Sequence, residues 1–208
     1  VVLFDNLSAQ VHGMIPEIFL PFSPADNVNV VRGSVLDEKA IGSLLNEVDV
    51  LVHLAAETGT AQSMYEIARY NDINTQGTAT ILDHLANSSK RRVKKVILAS
   101  SRSVYGEGAY HCDLCGAVFP ETRPTASLKD HRWDPECPSC GKVLTATPTR
   151  EDARTRPASI YAATKFAQEE LVRIACSALD IPYVIFRFQN VFGEGQSLKN
   201  PYTGILSI

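Results

Sequence analysis

The stretch Lys95-Val-Ile-Leu-Ala-Ser-Ser101 is an apolar run that ends in two hydroxyl side chains. It is apolar on both faces rather than alternating, which is typical of a central strand in a parallel sheet. Ligands of open α/β sheets bind at the carboxyl ends of such strands, so Ser100 and Ser101 lie where a site is expected. Similar apolar runs occur at residues 1–4, 28–31, 50–54 and 183–188.

Helical patterns lie between these runs, at residues 37–47, about 63–87 and about 161–179. Alternating strands and helices predict right-handed crossovers and an α/β fold with a doubly wound, Rossmann-like parallel sheet. The first run begins at residue 1, and residues 204–208 read as the start of another apolar element. We therefore expect a fragment of a larger domain.

The composition excludes several classes of protein. The 208 residues are 45% hydrophobic and carry a formal net charge of -3, which gives no general attraction for nucleic acid or an anionic membrane. No apolar stretch is long enough to span a bilayer, and the amino terminus has no signal-peptide pattern. We expect a cytoplasmic globular protein that binds neither nucleic acid nor membrane.

Residues 107–150 break the alternation and read as an insertion. It contains two CxxC pairs, Cys112-Asp-Leu-Cys115 and Cys137-Pro-Ser-Cys140, each followed by glycine. Four thiolates from two such knuckles can bind one Zn²⁺ tetrahedrally, with the glycines permitting tight turns. Two disulfides are the alternative, which the expected cytosolic setting disfavours. The pattern predicts a structural zinc ribbon that replaces a hydrophobic core.

The residues around these cysteines do not favour a nucleic-acid role for the ribbon. Basic residues there are balanced by acidic ones, and no basic run is interleaved with aromatics. His111 and His131 are possible substitute ligands, although four cysteines already complete a zinc site. Cys176 lies apart on a helical pattern and is interpreted as a small buried hydrophobe.

The candidate catalytic pair is Tyr161-Ala-Ala-Thr-Lys165, at the start of a predicted helix. Side chains four residues apart share a helix face, so the Lys165 ammonium can lower the pKa of the Tyr161 phenol and contact a nicotinamide ribose. Tyr161 can then exchange a proton with a sugar hydroxyl, and Ser101 completes the set. Asp5, at the end of the first run, can accept both hydroxyls of an adenosine ribose, which favours NAD over NADP.

Together these motifs resemble the extended short-chain dehydrogenases/reductases, the NAD-dependent epimerase/dehydratase family. The resemblance covers nearly the whole chain outside the insert. The matching segments are Asp5-Asn-Leu7, residues 32–37, His53-Leu-Ala-Ala56, Asn74 with Gly77-Thr78, Ser101 with Val104-Tyr-Gly106, Tyr161 with Lys165, and residues 187–193.

The resemblance implies roles for the matched residues. Ser101 is implied to bind the reacting sugar oxygen, Tyr161 to be the acid/base, Lys165 to contact the ribose, and Asn74 to be a structural partner on the central helix. The implied cofactor is NAD, bound by Asp5, Asn6, Ser34, Val35, Ala55 and Ala56 with Tyr161 and Lys165. The implied substrate is a nucleotide sugar, with contacts from Thr58, Ser101, Ser103 and Asn190.

Two features depart from the family pattern. The family's first strand and its glycine-rich phosphate turn are absent from this sequence, so we expect a Rossmann-like sheet that lacks its first βα unit. Ser34 stands where the family usually has an Asp that contacts adenine.

The residues before Val104 distinguish among the family's reactions. Its 4,6-dehydratases carry Asp-Glu there, whereas this sequence has Arg102-Ser103, so elimination is disfavoured. This leaves oxidation at C4 and return of the hydride to the other face, a 4-epimerisation without net redox change. The alternatives are a net dehydrogenase or reductase, a UDP-hexose 4-epimerase and, outside catalysis, a zinc-ribbon scaffold.

The resemblance also suggests a substrate and an assembly. Residues 5–13, 61–66 and 195–204, together with the cysteine insert, are similar to a subgroup acting on dTDP-L-rhamnose, which implies interconversion with dTDP-6-deoxy-L-talose. A homodimer built on helices 63–87 and 161–179 is implied as well.

We expect four segments along the chain, and this fragment by itself is expected to be inactive. They are an NAD-binding Rossmann-like part (1–106), the zinc ribbon (107–150), a Rossmann-like part with the catalytic Tyr and Lys (151–193), and the start of a truncated substrate-binding region (194–208).

Overall fold

The computed structural model describes residues 1–14, 27–193 and 196. The chain divides into two compact units, one of Val1–Ser101 with Ser159–Ile208 and the other of Arg102–Ala158. The second unit contains the predicted insertion together with residues 102–106 and 151–158 on either side of it. The predicted substrate-binding segment, 194–208, lies outside the described residues except for Gln196.

The described part of the chain contains eight strands and seven α-helices. The strands are β1 (Val2–Asp5), β2 (Asn29–Arg32), β3 (Val50–His53), β4 (Lys95–Ser101), β5 (Tyr110–Cys112), β6 (Gly116–Val118), β7 (Thr145–Ala146) and β8 (Tyr183–Phe188). The α-helices are α1 (Ala9–His12), α2 (Glu38–Leu45), α3 (Thr60–Ser63), α4 (Ile67–Tyr70), α5 (Gly77–Asn87), α6 (Thr125–Lys129) and α7 (Ile160–Ala178). A π-helical segment, Asn71–Gln76, joins α4 to α5, and a 3-10 turn, Arg102–Tyr105, follows β4.

The sheets of the first unit are parallel, which confirms the predicted Rossmann-like α/β class. β1 pairs with β2, and β3, β4 and β8 form a three-stranded sheet in the order β3-β4-β8. In that sheet Ser100 is aligned with Arg187 and Ser101 with Phe188. The second unit contains a small antiparallel sheet in the order β6-β5-β7.

The core of the first unit lies between the sheet and helices α2, α5 and α7. Its most buried members include Leu45, Leu85, Leu98 and Val172. Two of these helices begin at side-chain caps: Asp37 accepts from the amides of Lys39 and Ala40, and Ser159 accepts from the amide of Ala162. The cap at Ser159 fixes the first turn of α7, which carries Tyr161.

The expectation that the strands are buried on both faces is wrong for part of the sheet. Val50 and Val52 on β3 are 49% and 52% exposed, and Phe186 and Phe188 on β8 are 47% and 41% exposed. These side chains alternate with less exposed neighbours, among them Leu51, His53 and Arg187, and α7 packs against one face of β4 and β8. In the described part of the chain, the other face is the one left open to solvent.

The predicted helix 63–87 is not continuous. α3 ends at Ser63, α4 begins at Ile67, and the π-helical segment carries the chain into α5. π-Helical segments commonly occur at functional sites, and this one places Asn74 in the interior. The other two predicted helices are confirmed within a few residues of their ends. No described helix is long and apolar enough to cross a membrane.

Candidate active site and cysteine cluster

Ser101, Tyr161 and Lys165 come together where the carboxyl end of β4 meets the first turns of α7. The Tyr161 phenol is hydrogen-bonded to the side chain of Ser101. Lys165, one turn further along α7, is 3% exposed and donates from Nζ to the carbonyl oxygen of Ala99 at 2.9 Å. The first unit therefore brings together the three residues that the sequence proposed as a catalytic set.

The electrostatics of this set differ from the prediction in one respect. Burial raises the pKa of Tyr161, and the hydrogen bond with Ser101 opposes that rise. Burial also lowers the pKa of Lys165 to about 8. The predicted lowering of the Tyr161 pKa by Lys165 does not occur in this arrangement, because loss of hydration outweighs other effects and the ammonium donates to Ala99 instead.

Asn74 joins the loop after β3 to the first turn of α7. Its Oδ1 accepts from the Glu57 amide at 2.8 Å, and its Nδ2 donates to the Glu57 carbonyl at 3.1 Å. The same Nδ2 donates to Thr164 Oγ1 at 2.9 Å, and Thr164 Oγ1 donates to the Tyr161 carbonyl at 2.9 Å. With all of its polar atoms engaged, Asn74 is placed to support the site rather than to react.

Tyr70 contacts the same site, and the sequence did not single it out. Its side chain is fully buried, and its ring packs edge to face on the ring of Tyr161 with centroids 6.5 Å apart. Its hydroxyl lies within hydrogen-bond distance of the carbonyls of Thr58 and Gly59. The available signal was its spacing, since Tyr70 precedes Asn74 by one helical turn.

A pocket in the first unit is lined by six of the residues predicted to bind the dinucleotide cofactor. It lies at the carboxyl ends of β1 and β3, and among its lining residues are Asp5, Asn6, Ser34, Val35, Ala55 and Ala56. Asp5 Oδ1 accepts from the Leu7 amide at 2.7 Å, and its side chain remains 58% exposed. The Phe4 ring packs closely on Gly33, since a Cβ at this position would lie 2.4 Å from the ring.

A polar network holds the loop that borders this pocket. Arg69 donates to Glu57 at 2.9 Å and to Glu66 at 2.7 Å. Gln62, 3% exposed, exchanges hydrogen bonds with Gln10 of α1 at 2.9 and 3.1 Å. These contacts hold Gln10 and Glu57, both of which line the pocket.

The residues predicted to touch substrate are more scattered. Thr58 is an exposed residue of the pocket lining, and Asn190 is exposed just after β8. Ser103 lies in the 3-10 turn at the start of the second unit and is half-buried. The structure therefore places Thr58 beside the predicted cofactor residues, while the substrate roles of all three stay predictions.

The four cysteines of the two CxxC pairs converge in the second unit. Their sulfur atoms lie within 4.8 Å of one another, and Cys112 Sγ and Cys140 Sγ are 3.5 Å apart. Gly116 and Gly141 have φ of 78° and 71°, the left-handed conformation that the tight turns were predicted to need. Cys112 and Cys137 are buried with Leu144 in a small apolar cluster. The five described cysteines carry free thiols.

Hydrogen bonds around the cluster shift the pKa values of two of its cysteines in opposite directions. A hydrogen bond from the Ser139 amide, together with one from Cys140, lowers the pKa of Cys137 to about 7. The neighbouring thiols, Cys140 first, raise the pKa of Cys115 to about 12. Outside the cluster, Cys176 is buried in the core of the first unit, which confirms its interpretation as a small hydrophobe.

Comparison with known proteins adds relatives by sequence. An NAD-binding family model described as male sterility protein matches residues 29–208. The dTDP-L-rhamnose 4-epimerase of Burkholderia thailandensis is 38% identical over 210 residues, covering 100% of this chain and 55% of that protein. A putative UDP-glucose 4-epimerase of Methanocaldococcus jannaschii is 27% identical, covering 100% and 53%. The chain thus spans about half the length of the curated relatives it matches.

Solved structures show the same fold. The UDP-N-acetylglucosamine 4-epimerase of Methanobrevibacter ruminantium M1 superposes with a TM-score of 0.70 at 24% identity, covering 99% of this chain and 52% of that one. The UDP-glucuronic acid 4-epimerase of Bacillus cereus, in complex with UDP-glucuronic acid and NAD, has a TM-score of 0.63 at 21% identity, covering 94% and 50%.

Proposed function

Because the chain belongs to the NAD-binding epimerase/dehydratase family of short-chain dehydrogenases/reductases, we propose that it forms part of a nucleotide-sugar 4-epimerase. The observation that carries the proposal is the hydrogen-bonded pair of Ser101 and Tyr161 at the carboxyl end of β4, with Lys165 one turn further along α7. A hydroxyl and a phenol held together in this way can serve one sugar oxygen.

The pocket at the ends of β1 and β3 fits NAD by its chemistry. Asp5 offers an exposed carboxylate to the ribose hydroxyls, and Ser34 and Val35 would border the adenine. Asn6 would join Asp5 at the adenosine ribose, Ala55 and Ala56 would line the cofactor, and Lys165 would contact the nicotinamide ribose. When bound, NAD would supply the hydride acceptor and donor for the reaction.

The protein's own residues would move the proton. Tyr161 would take the proton from O4 as C4 is oxidised and return it to O4 when the hydride comes back to the other face. Ser101 would hydrogen-bond O4 and, through its bond to the phenol, favour the ionised form of Tyr161. Asn74 and Thr164 would hold the first turn of α7 in place.

Two observations support a 4-epimerase acting on a dTDP-sugar. Arg102 and Ser103 stand where a dehydratase needs carboxyl groups, which disfavours elimination. The relative that is 38% identical across the whole chain is a dTDP-L-rhamnose 4-epimerase. We therefore propose interconversion of dTDP-L-rhamnose and dTDP-6-deoxy-L-talose. The second candidate, a UDP-hexose 4-epimerase, is favoured by the weaker 27% relative.

The deciding experiment supplies the full-length protein with dTDP-L-rhamnose and UDP-galactose in separate reactions followed by NMR of the sugar. We expect the 4-epimer of the dTDP-sugar to form without added reductant, and Tyr161→Phe to lower kcat at least about 100-fold. Turnover of the UDP-sugar alone would refute the dTDP assignment. Stoichiometric consumption of added NADH would instead identify a net reductase, and normal turnover by Tyr161→Phe would refute the mechanism.

The second unit is proposed to be a zinc ribbon. Four sulfurs within 4.8 Å of one another suit a tetrahedral thiolate site, whose edges are about 3.8 Å for Zn–S bonds of about 2.3 Å. The ion would close a unit whose buried apolar cluster is small and would have a structural role. A scaffold that uses this ribbon for partner binding alone would not need the set of Ser101, Tyr161 and Lys165.

The proposal extends to a homodimer in the cytoplasm. Ile67 on α4 and Ile174 on α7 are 53% and 57% exposed, which suits an interface built from these helices. Sedimentation of the full-length protein, expected at twice the mass of one chain, tests the dimer.

A further inference from the structure

Three ionisable side chains follow one another along α7 at intervals of four residues: Tyr161, Lys165 and Glu169. Side chains at this spacing share one face of a helix. Lys165 and Glu169 are 3% and 4% exposed, so this face is turned into the first unit. The proposed reaction uses the first two and gives no role to Glu169.

The Glu169 carboxylate binds two strands at once. Its Oε1 accepts from Ser100 Oγ at 2.5 Å and from Arg187 Nε at 3.0 Å, and its Oε2 accepts from Arg187 Nη2 at 2.7 Å. Ser100 and Arg187 are aligned partners in the parallel pair of β4 and β8. One side chain therefore joins α7 to two neighbouring strands at the same level of the sheet.

The junction formed by Glu169, Ser100 and Arg187 lies close to the candidate reacting groups, both along β4 and along α7. On the strand, Ser100 is followed directly by Ser101, which hydrogen-bonds Tyr161. On the helix, Tyr161 and Glu169 are about 12 Å apart along the axis at about 1.5 Å per residue. A slip of α7 along the sheet at Glu169 would be transmitted to Tyr161, because both residues lie on one continuous α-helix.

The chemistry of the junction favours a positional role over a purely stabilising one. Desolvation offsets much of the attraction in a buried ion pair, so such a pair is weak evidence for stability. Its charge-assisted, forked hydrogen bonds nevertheless restrict distance and direction more than an apolar contact does.

We propose that Glu169 is a positioning residue of the proposed epimerase: by binding Ser100 and Arg187 together, it fixes α7 against β4 and keeps Tyr161 in contact with Ser101. The proposal deepens the proposed function and rests on it. Glu169 itself is proposed to touch neither substrate nor cofactor.

The kinetic test compares Glu169→Gln with Glu170→Gln in the full-length protein. Glu170 is the next residue and also pairs with an arginine, Arg173 at 2.6 Å, but its side chain is 41% exposed. We expect Glu169→Gln to lower kcat about 100-fold with little change in KM, the scale of a displacement of about 1 Å. Glu170→Gln is expected to leave both constants unchanged, and equal effects of the two variants would overturn the proposal.

A second readout needs neither substrate nor cofactor. NMR of isotope-labelled tyrosine, assigned with Tyr161→Phe, reports the pKa of Tyr161 directly. Because the hydrogen bond with Ser101 lowers the pKa of Tyr161, its loss in Glu169→Gln should raise that pKa. If Glu169→Gln does not fold, Ser100→Ala replaces it in this test. Ser100→Ala removes one hydrogen bond to Glu169 and leaves the carboxylate charged, and we expect it to raise the pKa of Tyr161 as well.

These measurements separate the two proposals. A parent protein without epimerase activity refutes the proposed function, yet the titration still reports whether Glu169 controls the contact between Tyr161 and Ser101. An unchanged pKa of Tyr161 in the folded variants overturns the positioning role, whatever happens to the melting temperature.

Discussion

The ring of Tyr70 meets the ring of Tyr161 edge to face, with the ring planes at 89°. The Tyr70 hydroxyl lies 3.0 Å from the carbonyl oxygen of Gly59, in the loop that follows β3. Residues of that loop line the pocket proposed for NAD. One fully buried side chain thus contacts both the candidate acid/base and the cofactor loop, and its hydroxyl can be removed while its ring is kept.

Replacing Tyr70 by Phe or by Leu should affect two different constants. Tyr70→Phe keeps the ring and loses the hydroxyl that bonds the loop bordering the pocket. We therefore expect NAD affinity to fall about twofold to tenfold, the usual contribution of one hydrogen bond, with kcat nearly unchanged. Tyr70→Leu also removes the aromatic contact, so kcat should fall about tenfold in addition. Fluorescence titration with NADH and steady-state kinetics measure the two effects.

Tyr183→Phe is the control for these variants. Tyr183 is half-buried at the amino end of β8, the opposite end of the strand from the site. Normal NADH affinity in Tyr70→Phe together with normal kcat in Tyr70→Leu would show that Tyr70 only fills space.

The burial of Lys165 should make the free energy of unfolding depend on pH. Burial lowers its pKa from 10.5 to about 8, so between these values the unfolded chain holds a proton that the folded chain has released. The free energy of unfolding should therefore rise with pH across this window, by about 3 kcal/mol in total at about 1.4 kcal/mol per pKa unit. Urea denaturation at successive pH values measures the rise, and Lys165→Met should abolish this contribution. A slope that persists unchanged in Lys165→Met would contradict the assignment.

The cysteine cluster predicts a metal-dependent second unit. We expect about one zinc per chain in protein purified under reducing conditions, and loss of that zinc in Cys137→Ser. Without the ion, residues 102–158 should become sensitive to proteolysis, because the small cluster around Leu144 is their main apolar core. Cys176→Ala removes a thiol outside the cluster and should retain full zinc. Protein with no zinc but a protease-resistant second unit would refute the ribbon.

Sequence patterns found the parts of this molecule that depend on local chemistry. The apolar runs predicted the parallel strands, and the two CxxC pairs predicted the cysteine cluster. The spacing of Tyr161 and Lys165 predicted that they share a face of α7. Each of these features is determined within a few residues of sequence, so one sequence suffices to show it.

Features that depend on tertiary contacts were missed. Tyr70 and Glu169 were not singled out, because their partners, Thr58 and Arg187, lie in other elements of the chain. The open face of β3 and β8 could not be predicted from strands that are apolar on both sides. The predicted direction of the shift in the Tyr161 pKa was also wrong. The spacing shows that Lys165 is near, but it does not show that burial has the larger effect on this pKa.

Asp5 predicts the choice of cofactor, and a single amide substitution tests it. Asp5→Asn retains Oδ1, which accepts from the Leu7 amide at 2.7 Å, so the turn after β1 should persist while the negative charge is lost. Without that charge, a charge-assisted bond to the ribose is weakened and repulsion of a 2′-phosphate disappears. We expect NADH affinity to fall about tenfold or more and NADPH affinity to rise, measured by fluorescence titration of the full-length protein. Asn6→Ala, which changes a neighbour without changing charge, should weaken both cofactors alike. An unchanged ratio of NADH to NADPH affinity in Asp5→Asn would show that Asp5 does not face the ribose.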